Sequence, residues 1–289
     1  MPNTRSTESA EASTDGAASK AAAAPRRFTI SRSEIIEMTS EETGRHYEII
    51  VAVPESYAKE PDRRYPVVYL LDGQWDFPLL HTMAGGLRYD KAIPDLFIVG
   101  ITYGGENPDF NKHRIEDYTP TRFEEPSAAE PCGGDGPKFL SFLEYKVLPA
   151  IEGKYRIDSS QRVLTGSSAG GLFSIYALLE RPELFQSVLA LSPATGWGNE
   201  WLFAREKEFH KAHLALKNRV WLTVGTDEGP EFAQSARDFF EQFKASNYEG
   251  ITLRIYEVPG ERHAGNKPEA FNRALRFAFE PWAATQKPD

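Results

Sequence analysis

The sequence predicts an α/β architecture, a mostly parallel eight-stranded sheet flanked by helices. Three observations predict it. Short runs that are apolar at every position recur along the chain, as in residues 66–71 (PVVYLL) and 96–103 (LFIVGITY), and a strand apolar on both faces belongs inside a covered sheet. Longer segments between them carry apolar residues at helical spacing. The two patterns alternate from Phe28 almost to the C-terminus without an internal repeat.

Residues 1–27 are rich in Ala, Ser, Thr and Glu; such a stretch buries too little surface to order itself and is expected to be a disordered tail. The expected domain is one unit, 28–289. Residues 28–38 and 46–53 read as an antiparallel opening pair, and 66–71 and 96–103 as central strands. Residues 104–136 mix Gly, Pro and charge without periodicity and read as a long loop, the kind that carries binding functions. Residues 138–155 place Phe139, Phe142, Leu143, Val147 and Ile151 at helical spacing. Four more strands are expected at 162–165, 187–191, 220–224 and 252–258. Helices fit at 172–179, 231–245 and 268–279.

With 289 residues, 40% of them hydrophobic, the chain can bury a sizeable core. A net charge of −9 gives no general attraction for a phosphate backbone, and no basic stripe offsets it, so nucleic acid is not an expected partner. The single cysteine, Cys132, rules out an internal disulfide and cysteine-rich zinc sites. No apolar stretch reaches the ~18–20 residues of a membrane span, and Ala21–Ala24 is too short for a signal-peptide core. The expectation is a cytoplasmic protein with no membrane partner, no metal and no cofactor.

The chemistry is concentrated at Gly166-Ser167-Ser168-Ala169-Gly170. This is G-x-S-x-G between an apolar strand and an apolar helix, the context of a nucleophile elbow. The glycines let strand and helix approach each other. The helix N-terminus behind the serine favours negative charge developing there. Ser168 is the expected nucleophile; Ser167 would break the glycine register.

Around this elbow the chain resembles the putative-esterase family of α/β hydrolases, and most closely its iron–siderophore-esterase-like branch. The resemblance runs from about His46 to Trp282. It rests on Tyr65–Gly73 (YPVVYLLDG), Arg114–Thr121 (RIEDYTPT), Phe139–Leu143 with Leu148–Glu152, the elbow, Leu191-Ser192-Pro193 and Gly260-Glu261-Arg262-His263. It implies an α/β-hydrolase fold, a serine carboxylic-ester hydrolase and a small-molecule ester as partner, a siderophore-type lactone or other bulky ester. Feruloyl or carbohydrate esters, S-formylglutathione-type thioesters and acyl transfer to an alcohol stay open, as does a catalytically idle binding protein on the same scaffold.

The same resemblance implies the remaining parts. In this fold the order is nucleophile, acid, histidine. His210, His213 and His263 follow Ser168. The first two lie in a polar helical stretch and read as solvated surface, which leaves His263 as the base. The acid lies among Asp227, Glu228 and Glu231, with Glu228 at the family position. The backbone N–H groups of Ala169 and Gln74 are the expected oxyanion hole. Arg114 is the cleft cation suggested by the motif, facing substrate or paired with Glu116 or Asp117. Trp75, Phe77, Trp197 and Trp201 are expected in loops at the catalytic edge, with Trp75 and Trp197 as candidate substrate contacts.

Overall fold

The computed structural model describes residues 28–123 and 132–286. The stretch read as a disordered tail, 1–27, lies outside them. The chain divides into Met1–Ile30 and a compact unit Ser31–Asp289. Of the first, Phe28–Ile30 are described and carry no regular secondary structure.

The second unit is built on one eight-stranded sheet. In chain order its strands are β1 (Ser33–Ser40), β2 (Arg45–Ala52), β3 (Tyr65–Leu70), β4 (Phe97–Tyr103), β7 (Ile157–Ser167), β8 (Ser187–Leu191), β9 (Arg219–Gly225) and β10 (Thr252–Val258); β5 (Arg122–Phe123) and β6 (Cys132–Gly133) form a separate small ribbon. The sheet order is β1-β2-β4-β3-β7-β8-β9-β10. The pairs β1/β2 and β2/β4 are antiparallel. All other neighbours are parallel. Every residue of β3, β4 and β8 is buried, as runs apolar on both faces require. Edge strand β1 instead exposes much of its length.

The helices are α1 (Gly73–Tyr89), α2 (Phe110–Tyr118), α3 (Gly136–Phe142), α4 (Leu148–Lys154), α5 (Ala169–Glu180), α6 (Trp197–Ala212), α7 (Pro230–Ala245), α8 (Lys267–Ala278) and α9 (Glu280–Ala283). A π-helical turn, Leu143–Val147, joins α3 to α4, so the helix expected over 138–155 has a bulge in it. Helix α5 is buried along all but its last residue, which places the elbow's helix in the centre of the molecule. Helix α7 packs Ala233, Ala236, Phe239, Phe240 and Phe243 inward and α8 packs Ala270, Phe271, Ala274 and Leu275 inward, each at helical spacing. Among the described residues no helix is long and apolar enough to cross a membrane.

Two expectations need correction. Residues 104–136 are not one irregular loop: they contain α2 and the β5–β6 ribbon, and 124–131 lie outside the described residues. Helix α2 starts under Asp109, whose carboxylate accepts the Lys112 N–H at 3.0 Å. Its sequence is too polar to show an apolar stripe; tertiary ion pairs hold it, together with the buried Tyr118 and with Phe110 and Ile115 packed against the core. Likewise Trp75 and Phe77 lie on α1 and Trp201 on α6, not in loops, whereas Trp197 stands ahead of the left-handed turn Gly198–Glu200 that kinks the start of α6.

Candidate active site

Five parallel-sheet strand ends converge on one edge. β3 leads into Asp72-Gly73-Gln74, β7 into Ser168, β8 into Ser192, β9 into Gly225–Glu228, and β10 into the turn bearing His263. Ligands of open α/β sheets bind at this carboxyl edge.

Ser168 has φ 61° and ψ −118°, a conformation L-residues rarely adopt. Its backbone is fixed on both sides: Ser168 N–H donates to Leu191 O at 2.9 Å, and its carbonyl accepts from Leu172 N at 2.9 Å and Ala194 N at 3.0 Å. The strained residue is therefore held by strand, helix and the loop after β8 together. Gly166 is where a side chain cannot be tolerated, since a Cβ would lie 2.7 Å from the carbonyl of Gly170. At Gly170 itself a Cβ would make only ordinary contacts, whereas at Gly171 it would meet Leu191 O and Pro193 Cα at 3.0 Å. The close approach thus needs Gly166 and Gly171 more than Gly170. Ser167 is buried, with its hydroxyl shut inside the protein, so Ser168 is the serine of the pair that reaches the edge.

Ala169 is the first residue of α5 and Gln74 the second of α1. Backbone N–H groups in a first turn have no intrahelical acceptor, which leaves both available to a ligand. The Gln74 side-chain oxygen accepts from Thr102 Oγ1 at 2.7 Å, while its Nε2 is buried without a hydrogen-bond partner. Gly73 lies flush on Gly100 of β4, where a Cβ would come within 3.0 Å of backbone.

His263 Nδ1 lies 2.9 Å from Glu228 Oε2, which leaves Nε2 for another partner. Asp227 and Glu231 are exposed, so of the three candidate carboxylates Glu228 is the one joined to the histidine. Its other oxygen, Oε1, accepts from Ser192 Oγ at 2.5 Å, Gly225 N at 2.6 Å and Asn266 Nδ2 at 2.6 Å. Burial alone would raise the Glu228 carboxyl. The hydrogen bonds from His263, Ser192 and the Gly225 N–H outweigh it and hold the group below its usual range. The His263 turn is stapled to the strand end: Asp227 N donates to Glu261 O at 3.0 Å and Gly260 N to Thr226 Oγ1 at 2.8 Å. The Phe232 ring meets the imidazole edge-on, 4.9 Å between centroids. Asn266 is part of this arrangement that the sequence reading did not single out, and Ser192 figures there only within the motif Leu191-Ser192-Pro193, with no role given to it. Their link to Glu228 spans 36 and 38 residues, beyond any local spacing signal.

The expected substrate contacts fall differently. Arg114 pairs with neither Glu116 nor Asp117. Its Nε and Nη2 grip Asp72 at 2.9 and 2.8 Å, and Nη2 also reaches Ser167 O at 3.3 Å. Glu116 and Asp117 both bind Arg45 instead, each at 2.5 Å. Trp75 is 46% exposed and lies beside the Arg114 guanidinium, 5.6 Å from its ring centroid. Trp197 is half-buried against Phe123, with its indole N–H donated to Thr121 O at 3.0 Å. His213 is exposed and stacks on Phe209; His210 is half-buried against Tyr248, less solvated than expected. Among the described residues no group of three or more His, Cys, Asp or Glu could hold a metal ion.

Residues 40–279 match the family described as "Putative esterase". The chain belongs to that family. This esterase is a carboxylic ester hydrolase of the α/β-hydrolase fold. It is 31% identical over 273 residues to the ferri-bacillibactin esterase BesA of Bacillus subtilis, a match covering 88% of this chain and 92% of that protein. It is 29% identical to the siderophore triacetylfusarinine C esterase of Aspergillus fumigatus, over 83% of this chain and 90% of the other. Among solved structures, the BES protein from Bacillus cereus superposes with a TM-score of 0.79 at 27% identity, covering 88% of this chain and 98% of that one.

Proposed function

We propose that this esterase opens siderophore-type lactones through an acyl-enzyme on Ser168, with His263 as base and Glu228 as the acid behind it. One observation carries the assignment of roles. The imidazole is held by Glu228 through Nδ1, at the same sheet edge where the elbow presents the Ser168 hydroxyl. His263 Nε2 takes the hydroxyl proton as Oγ attacks the ester carbonyl. The N–H groups of Ala169 and Gln74 receive the oxyanion. Collapse expels the alcohol, which takes the proton from Nε2, and water repeats the sequence to release the acid and free Ser168. Glu228 stays ionised throughout and stabilises the imidazolium. The substrate class is supported by the relatives, two of which are named as esterases of ferri-bacillibactin and of the siderophore triacetylfusarinine C. The exposed Trp75 beside Arg114 adds an aromatic surface at the cleft suited to a polyphenolic acyl group.

The test is a kinetic panel of a ferric catecholate trilactone, a ferric hydroxamate ester, methyl ferulate, S-formylglutathione and p-nitrophenyl butyrate. A kcat/KM for a ferric siderophore about 100-fold above the others supports the reading, in line with discrimination by several substrate contacts. A preference for the ferulate or the thioester overturns the substrate. Failure of a fluorophosphonate to label Ser168 overturns the mechanism.

A further inference from the structure

Asn266 stands at the N-cap of α8, where asparagine is favoured because its side chain accepts a hydrogen bond from the first turn. Here it makes no such bond. Its side chain turns away from its own helix. Nδ2 donates to Glu228 Oε1 at 2.6 Å and to Ser192 Oγ at 2.8 Å. The residue is fully buried, and its Oδ1 has no hydrogen-bond partner, a costly arrangement for an amide kept only for packing. Ser192 is equally buried and has φ 40°, again strained for a residue with a side chain, and its hydroxyl donates to the same Oε1. Two unfavourable local arrangements thus converge on one carboxylate oxygen.

We propose that Asn266, acting with Ser192, is a positioning residue for ester hydrolysis: by saturating Glu228 Oε1 it leaves Oε2 as the oxygen that holds His263. The proposal rests on the Ser168–His263–Glu228 reading. Without the amide, Oε1 keeps only the Ser192 hydroxyl and the Gly225 N–H, and the carboxylate is freer to turn about its last bond and offer His263 either oxygen. With the amide, the imidazole has one orientation and presents Nε2 toward the elbow. The groups facing Glu228 are few. His263 comes from the turn after β10, the Gly225 N–H from β9, Ser192 from the loop after β8 and Asn266 from α8; Arg237 of α7 feels the Glu228 charge while paired with Glu257 at 2.8 Å.

The experiment is a pH profile of kcat/KM for Asn266→Ala beside the wild type, with melting temperature and fluorophosphonate-titrated active fraction measured on each. Loss of a donor makes the Glu228 carboxylate more basic, so it holds the imidazolium more strongly. The acid limb should therefore move to higher pH by about half a unit. Per active site kcat should fall about 10- to 100-fold with KM little changed, as a misplaced base requires. If Asn266→Ala does not fold, Ser192→Ala removes the second donor with little loss of volume and is read in the same way. An unmoved acid limb, with losses that only follow melting temperature and active fraction, would show Asn266 to be structural. Ser168→Ala in parallel separates the two readings: if it keeps its activity the triad itself is wrong, and if it is inactive while the limb stays put, only the positioning role falls.

Discussion

Arg114 and Asp72 form a two-pronged ion pair, Nε to Oδ1 at 2.9 Å and Nη2 to Oδ2 at 2.8 Å, with 13% and 1% of their side chains exposed. Asp72 has φ 57° and immediately precedes Gly73 and Gln74. It sits where an N-cap would cap α1, yet makes no side-chain cap bond. The pair therefore ties α2 to the turn bearing one of the proposed oxyanion N–H groups. Breaking it leaves a buried carboxylate without its counter-charge.

Arg114→Ala should accordingly cost about 3–5 kcal/mol of stability, the range for stranding one member of a buried pair. The kcat/KM should fall by the same factor for anionic and neutral esters, because the displaced element is the turn of the proposed oxyanion hole. Thermal melts with both substrate types check this. A KM that rises for anionic esters alone, with an unchanged melt, would return Arg114 to the role of substrate cation.

Glycines of one chain should respond in opposite directions. Gly166→Ala places a Cβ 2.7 Å from Gly170 backbone and should destabilise by about 1–3 kcal/mol or prevent folding, with activity lost even in the folded fraction. Gly86→Ala, in the last turn of α1 with nothing within 4 Å of the new methyl, should stabilise by up to roughly 0.5–1 kcal/mol through helix propensity. Urea unfolding of both variants is the measurement. Equal effects would mean that the elbow tolerates a side chain.

The contrast between strands and helices shows what the sequence can carry. The strands at 187–191 and 252–258 have the expected bounds, since apolar runs flanked by turns are a local signal. Helix α1 escaped because its stretch contains Pro78, Gly85 and Gly86 and its cap position is spent on Arg114. Helix α2 escaped because only Phe110, Ile115 and Tyr118 of it meet the core, too few for a stripe, and the rest of its hold is electrostatic, through Arg114 to Asp72 and Glu116 and Asp117 to Arg45, which no periodicity reveals. At the site, the elbow is one contiguous motif and could be read directly. The four donors around Glu228 come from four separate parts of the fold and meet only after folding.

The Glu228 carboxyl sits below its ordinary range, since its hydrogen bonds outweigh burial. A depressed carboxylate binds fewer protons folded than unfolded, so its contribution to stability is fully present above the unfolded value of about 4.3 and lost as pH falls through the lower folded value. Glu228→Gln should remove that contribution. The stability gap between wild type and variant should be wide at neutral pH and narrow below about pH 4. Denaturant midpoints at the two pH values decide it, and a constant gap would mean that Glu228 does not titrate as its surroundings imply.

The roles proposed around Ser168 order a mutational series. Ser168→Ala removes the nucleophile and should reduce kcat by about 10⁴- to 10⁶-fold, leaving what the oxyanion hole and binding supply. His263→Ala should cost nearly as much, because without a base the hydroxyl is a weak nucleophile. Glu228→Gln keeps shape but removes the charge that stabilises the imidazolium, and its amide can present N–H where Oε2 now accepts from Nδ1, so a loss of about 10⁴-fold or somewhat less is expected. Asp227→Asn and Glu231→Gln alter exposed carboxylates and should stay within about twofold of wild type. Because the members act as a unit, the Ser168→Ala/His263→Ala double variant should be scarcely worse than Ser168→Ala alone. Single-turnover kinetics on p-nitrophenyl butyrate would read the whole series. An Asp227→Asn loss exceeding that of Glu228→Gln would move the acid to Asp227 and leave the 2.9 Å His263–Glu228 contact as a structural bond.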